Sequence, residues 1–225
     1  MKRVKKIKIL FICSAISVVF ILSFYFYKHY IRPQIMVNSV LSSERYINKQ
    51  NNLKNIKIGK RSLLIFGDSI LEYLKFKRHG VCNFSIGGET ISTLTSRLKD
   101  YNIPDSIDIL CMIGINDLLF NKSLNNIYDD YRKLFKVLNN YKVKVYLLEL
   151  LPISTKGFFF DKDDINFKVI QINEFINENS FNNYSVISTY KYFCNYKSEL
   201  IQDFTYDGIH LNEKGKEKLI LLLDK

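Results

Sequence analysis

Apolar and polar positions follow two periods along most of the chain. From residue 62 onward, short apolar runs suited to buried strands fall at 62–66, 81–86, 107–113, 143–148 and 184–188. Stretches with helical spacing stand between them at 69–77, 89–100, 123–140 and 164–179, and Asn212 caps a last one that runs to 223. The clearest is 123–140, where Leu124, Ile127, Tyr128, Tyr131, Leu134, Phe135 and Leu138 share one face. Five strand units alternating with helices predict a parallel sheet covered on both faces. In such sheets, sites form beyond the carboxyl ends of the strands, near the switch in strand order. Residues that directly follow strands are therefore where chemistry is expected.

Upstream the pattern changes. Residues 9–27 form a 19-residue run without a charge, bracketed by Lys8 and Lys28. As a helix, with about 1.5 Å per residue, it matches a hydrocarbon core of roughly 30 Å. Tyr25, Tyr27 and Tyr30 stand at its far end, where amphipathic rings favour the membrane interface. Five cations precede it, which predicts a cytoplasmic N-terminus and a body on the extracytoplasmic side of a single-pass cell-membrane protein. No small-x-small cleavage site follows the run, so it reads as an uncleaved signal anchor rather than a signal peptide. The expected organisation is a basic N-terminus at 1–8, a transmembrane anchor at 9–27, a basic stalk at 28–61 and a body at 62–225. The stalk reads as a solvated tether, open to helix over 34–48.

Charge sharpens this division. The chain carries a formal +11, which by itself suggests a nucleic-acid partner. However, residues 1–61 hold 13 cations and one acid, whereas 62–225 hold 20 cations and 21 acids. The body is balanced, which argues against nucleic acid. Apolar residues make up 47% of the chain, which rules out a disordered chain. No Cys or His cluster has metal-ligand spacing.

The segments after the strands carry the candidate chemistry. Gly67-Asp68-Ser69 follows the first, Ser85-Ile86-Gly87-Gly88-Glu89-Thr90 the second and Gly114-Ile115-Asn116-Asp117 the third, while Asp207-Gly208-Ile209-His210 lies near the C-terminus. Taken singly, each is the ordinary composition of a cap or turn. Together they supply complementary parts. A serine hydroxyl is a poor nucleophile without a general base. Of the three histidines, only His210 has a suitable carboxylate nearby, that of Asp207. The Ser69 and Gly88 N–H groups and the Asn116 amide would donate to a tetrahedral oxyanion.

In order and spacing these blocks resemble the SGNH (GDSL) hydrolase superfamily over about residues 62–225. The resemblance implies a three-layer α/β/α sandwich of flavodoxin-like type, with a five-stranded parallel sheet in the order 2-1-3-4-5. It implies Ser69 as nucleophile, His210 as base, Asp207 as its partner, and an oxyanion hole of Ser69, Gly88 and Asn116. It implies neither a metal nor an organic cofactor. The second block departs from the family pattern by placing Ser85 where a glycine is usual, so the oxyanion role falls to Gly88 rather than Gly87. Phe158, Phe159 and Tyr206 would rim the substrate site, since aromatic faces suit sugars and acyl chains.

The expected function is a serine esterase, a membrane-anchored bacterial member of that superfamily. Its expected substrate is an O-acylated carbohydrate or lipid ester, foremost O-acetyl groups on envelope or capsular glycans. An O-acetyltransferase using the same triad, a lysophospholipase or thioesterase, and a non-catalytic anchored glycan-binding or assembly protein are the alternatives.

Overall fold

The structure, a computed structural model, describes residues 2–54, 63–76, 80–105, 107–157, 160–179 and 184–223. Five strands form one parallel sheet: β1 (Leu63–Gly67), β2 (Val81–Asn83), β3 (Asp108–Met112), β4 (Val145–Leu148) and β5 (Tyr184–Ile187). Their order is β2-β1-β3-β4-β5. In register, Leu64 stands between Cys82 and Ile109, and Phe66 lies opposite Cys111. Thus β1 separates Cys82 from Cys111, and both are free thiols.

The sheet is parallel because every return crosses over through a helix. These are α4 (Ser69–Glu72), α5 (Ile91–Leu98), α6 (Ile115–Leu119) with α7 (Leu124–Leu138), and α8 (Lys162–Glu178). Two short turns of helix follow β5, α9 (Tyr190–Phe193) and a 3-10 turn (Gln202–Phe204), before α10 (Glu213–Leu223). Right-handed crossovers place α5, α7 and α8 on one face and leave the other to α4 and α10, giving three layers. The apolar stripe of α7 buries Ile127, Tyr131, Leu134, Phe135 and Leu138. Each such side chain contributes about 1.5–3 kcal/mol by leaving water.

Local chemistry sets the helix ends. The stretch 69–77 is helical only to Glu72, where the Leu71 carbonyl accepts the Leu74 N–H at 3.1 Å and the Asn83 amide at 2.8 Å. A continuing helix would have given that carbonyl to residue 75. Helix α8 starts before the expected 164, since Asp161 accepts the Asp163 and Asp164 N–H groups. At α10, Asn212 accepts the Gly215 N–H at 3.0 Å, as its capping position predicts.

At the N-terminus, α1 (Lys2–Phe26) runs through a π-helical turn (Tyr27–Ile31) into α2 (Arg32–Leu41). Among the described residues, this is the one helix long and apolar enough to cross a membrane, over Phe11–Leu41. Beyond it the structure departs from the expected tether. A turn at Ser42 and Ser43 leads into α3 (Glu44–Lys54), which Ser43 caps by accepting the Tyr46 N–H at 3.2 Å. Tyr46 and Leu53 are buried in the core of the body. The Arg32 guanidinium donates to the Leu119 carbonyl at 3.0 Å. Residues 32–54 are thus an arm folded against the body, because two apolar side chains in a polar segment find the core.

Candidate active site

Strand β1 delivers Gly67, Asp68 and Ser69 at the carboxyl edge of the sheet. Gly67 is required there, since a Cβ would lie 2.4 Å from the Met112 carbonyl oxygen on β3. Asp68 caps α4 by accepting the Ile70 N–H at 3.0 Å. The Ser69 N–H is one of the first-turn donors that have no acceptor within their helix. This turn stands half-exposed Ser69 above the sheet.

His210 arrives from a loop held by its own polar groups. Thr205 Oγ1 donates to the His210 carbonyl at 2.7 Å and accepts the Gly208 N–H at 2.8 Å. The Gly208 carbonyl accepts the Ser154 N–H at 2.8 Å. Gly208 has φ +87°, and a Cβ on it would lie 2.6 Å from Thr155. Asp207 Oδ1 accepts the N–H groups of Ile209 at 2.9 Å and His210 at 2.7 Å. Its Oδ2 lies 2.6 Å from His210 Nδ1, and His210 Nε2 lies 3.0 Å from Ser69 Oγ. The structure therefore brings Ser69, His210 and Asp207, 141 residues apart at the extremes of sequence contact, into one hydrogen-bonded chain. Burial alone would raise the Asp207 carboxyl, but the hydrogen bonds from the His210 ring and the two backbone N–H groups hold it below the usual carboxylate range.

The two other oxyanion candidates stand beside Ser69. Gly88 has φ +84°, a conformation that favours glycine. Gly87 commits its N–H to Glu72 Oε2 at 2.8 Å, which leaves Gly88 as the glycine of this turn suited to the donor role. The Asn116 amide donates one hydrogen to the Glu89 carbonyl at 2.9 Å, leaving the second for a ligand. Ser69, Gly88, Asn116, His210 and Tyr206 line one cleft of about 590 Å³. The Tyr206 ring stacks on the His210 ring, with centroids 5.8 Å apart. Phe158 and Phe159 lie outside the described residues. A second cleft of about 590 Å³ lies between the π-helical turn and the α6–α7 loop, and the Ser69–His210–Asp207 chain is not part of it.

Sequence reasoning missed the supports beneath this edge. Glu89 and Arg97 form a buried bidentate ion pair at 2.6 and 2.8 Å, and the Tyr46 hydroxyl from α3 donates to the same carboxylate at 3.1 Å. Arg97 also donates to the Phe84 carbonyl at 2.8 Å. Asp117 accepts the Ile91 N–H at the start of α5 at 2.9 Å and pairs with Lys122 at 3.1 Å. The signal available in the sequence was Glu89 and Arg97 flanking the start and end of one short helix, a spacing too common to single out. Among the described residues, no group of three His, Cys, Asp or Glu side chains is placed to hold a metal ion.

Compared with known proteins, residues 63–216 match the OSK domain family. Two relatives are an N-acylneuraminate cytidylyltransferase of Streptococcus agalactiae, 24% identical over 70% of this chain, and the maternal effect protein oskar of Drosophila melanogaster, 30% identical over 50% of it. The matches span 37% and 20% of those proteins, so the chain corresponds to only a part of each. Three solved structures share the fold. The OSK domain of Drosophila Oskar has a TM-score of 0.62 at 20% identity, covering 83% of this chain and 97% of that one. A GDSL-like lipase from Bacteroides thetaiotaomicron has 0.67 at 18%, covering 80% and 95%. An acetyl xylan esterase has 0.55 at 22%, covering 72% and 97%.

These findings correct the family read from the four blocks. The family matched is the OSK domain, not the SGNH hydrolases, whose likeness here is one of fold. The bacterial assignment, which rested on that resemblance, is not carried over, since the matching relatives include both bacterial and fly proteins. The physical reason is that short blocks at the carboxyl edge encode turns and caps, which proteins of one fold share across families.

Proposed function

We propose that this chain, which belongs to the OSK domain family, hydrolyses ester bonds through Ser69, His210 and Asp207. The hydrogen-bonded chain from Asp207 through His210 to Ser69 carries this reading. Ser69 Oγ attacks the ester carbonyl while His210 Nε2 takes its proton, and Asp207 holds the imidazole by Nδ1–H and stabilises the cation that forms. The N–H groups of Ser69 and Gly88 and the second Asn116 amide hydrogen stabilise the oxyanion. Collapse breaks the bond to the alkoxy oxygen, which leaves as alcohol with the proton from His210. Water, deprotonated by His210, then attacks the acyl-enzyme, releasing the acid and restoring Ser69.

The substrate we favour is an O-acetylated carbohydrate. The names of the acetyl xylan esterase and the N-acylneuraminate enzyme support this class, as does the aromatic face of Tyr206 beside His210. Phe158 and Phe159 remain proposed contacts. The long apolar helix near the N-terminus supports attachment to a membrane. The five cations ahead of it favour a cytoplasmic N-terminus, with the site on the opposite side.

A second reading is an anchored non-catalytic domain that binds glycans or serves assembly. The OSK family match favours it, and the comparisons lean toward it more than the geometry does. One experiment separates the two. The full chain, purified in detergent, is assayed on p-nitrophenyl acetate and on O-acetylated oligosaccharides beside Ser69→Ala. Hydrolysis that Ser69→Ala abolishes supports the esterase. Inactivity of the unaltered chain on short and long acyl esters alike, with glycan binding retained, establishes the second reading instead.

A further inference from the structure

Building on the ester-hydrolysing reading above, we propose that Val40 of the N-terminal arm closes the acyl side of the cleft and sets the length of acyl group accepted. The cleft is not formed by the α/β body alone. Ser39, Val40, Ser43 and Arg45, from the end of α2 and the start of α3, line it together with Ser69 and Asn116. Val40 sits against Gly88, since a Cβ built there would lie 3.0 and 3.2 Å from its two methyl carbons.

The arm is also tied to the turn that carries Gly88. Arg45 pairs with Glu72, and Glu72 Oε2 accepts the Gly87 N–H at 2.8 Å. Arg45 further donates to the Tyr73 hydroxyl at 2.9 Å. Val40 is β-branched, with one strongly preferred side-chain rotamer in a helix, so the wall it makes is stiff.

Reaction chemistry decides which part of the ester meets this wall. The carbonyl oxygen points at Gly88 and Asn116 while its carbon meets Ser69 Oγ. The leaving oxygen must take its proton from His210 Nε2, so the alcohol lies on the side of His210 and exposed Tyr206. With the oxygen at Gly88 and Asn116 and the alcohol at His210, the acyl substituent takes the remaining direction, along the wall that Val40 and the arm make. A stiff branched side chain there admits an acetyl group and excludes longer chains.

The test uses the full chain in detergent with p-nitrophenyl acetate, butyrate and hexanoate. Val40→Ala is expected to raise kcat/KM for butyrate and hexanoate relative to acetate by roughly tenfold, the scale of a methylene-sized change in an apolar pocket. Val40→Phe is expected to lower the butyrate-to-acetate ratio, and thermal melting checks that both variants are folded. Ser69-dependent turnover with the same chain-length profile in both variants overturns this inference alone. Absence of Ser69-dependent turnover in the unaltered chain overturns the esterase reading and this inference with it.

Discussion

Replacing Asp68 by asparagine should flatten the pH dependence of folding stability. Asp68 is 1% exposed, and its Oδ2 has no hydrogen-bond partner among the described residues. Burial pushes its carboxyl from an ordinary 3.8 up to about 7, and the charges of Glu89 and Asp117 add to the rise, while the Ile70 N–H opposes it. A carboxyl raised in this way holds its proton more tightly in the folded state than in the unfolded one. Its contribution to stability is full below pH 3.8 and is lost as pH rises toward about 7. About three pH units at about 1.4 kcal/mol each give on the order of 4 kcal/mol lost across that window. Asparagine does not titrate, and its side-chain oxygen can still accept the Ile70 N–H. Burial also raises Glu89 and Asp117, but both groups are present in either protein and largely cancel in the difference. Urea unfolding followed by circular dichroism, from pH 4 to pH 8, should therefore show Asp68→Asn gaining on the unaltered chain by up to about 4 kcal/mol as pH rises. Parallel stability curves would refute the reasoning, since they would mean that Asp68 has the same proton affinity folded and unfolded.

Two further outcomes follow from the same network and site. Arg97→Met should cost about 3–5 kcal/mol in urea unfolding, because it strands a fully buried Glu89 carboxylate, and a loss below 1 kcal/mol would count against a paired, charged Glu89. Asp207→Asn retains an acceptor for the Ile209 and His210 N–H groups but removes the charge facing His210 Nδ1. If the proposed mechanism holds, kcat on p-nitrophenyl acetate should fall about 10³–10⁴-fold, and a loss under tenfold would exclude that role for Asp207.

The strand runs were legible because each is a short apolar segment between polar helices, and all five strands lie within or beside the expected segments. Helix ends were less legible. The 69–77 stretch keeps helical spacing past Glu72, but the Leu71 carbonyl there is taken by the Leu74 N–H and by the Asn83 side chain, which arrives from the neighbouring strand. Helix α6 escaped notice because its start depends on Gly114 at φ +136°, a backbone state that composition does not reveal. The arm was misjudged for a related reason. Residues 32–54 are polar overall, and what ties them down, the burial of Tyr46 and Leu53 in the core cluster, depends on the body they meet. The blocks at the carboxyl edge were readable as turns with polar side chains, but they also suggested a family that the comparisons replace, because turn chemistry follows the fold more closely than the family.

Sequence by itself determined the alternation of strands and helices, the apolar N-terminal run and the concentration of positive charge in the first 61 residues. Those properties are local: they depend on the spacing of side chains along one segment. Tertiary structure alone decided that Ser69 stands 3.0 Å from His210, that Gly87 and not Gly88 gives its N–H to Glu72, and that Val40 lies against Gly88 in the cleft that Ser69 also lines. Each of these joins residues from separate elements, and their distances follow from strand order, crossover hand and packing against a shared core. A one-dimensional pattern names such residues without fixing which of them meet.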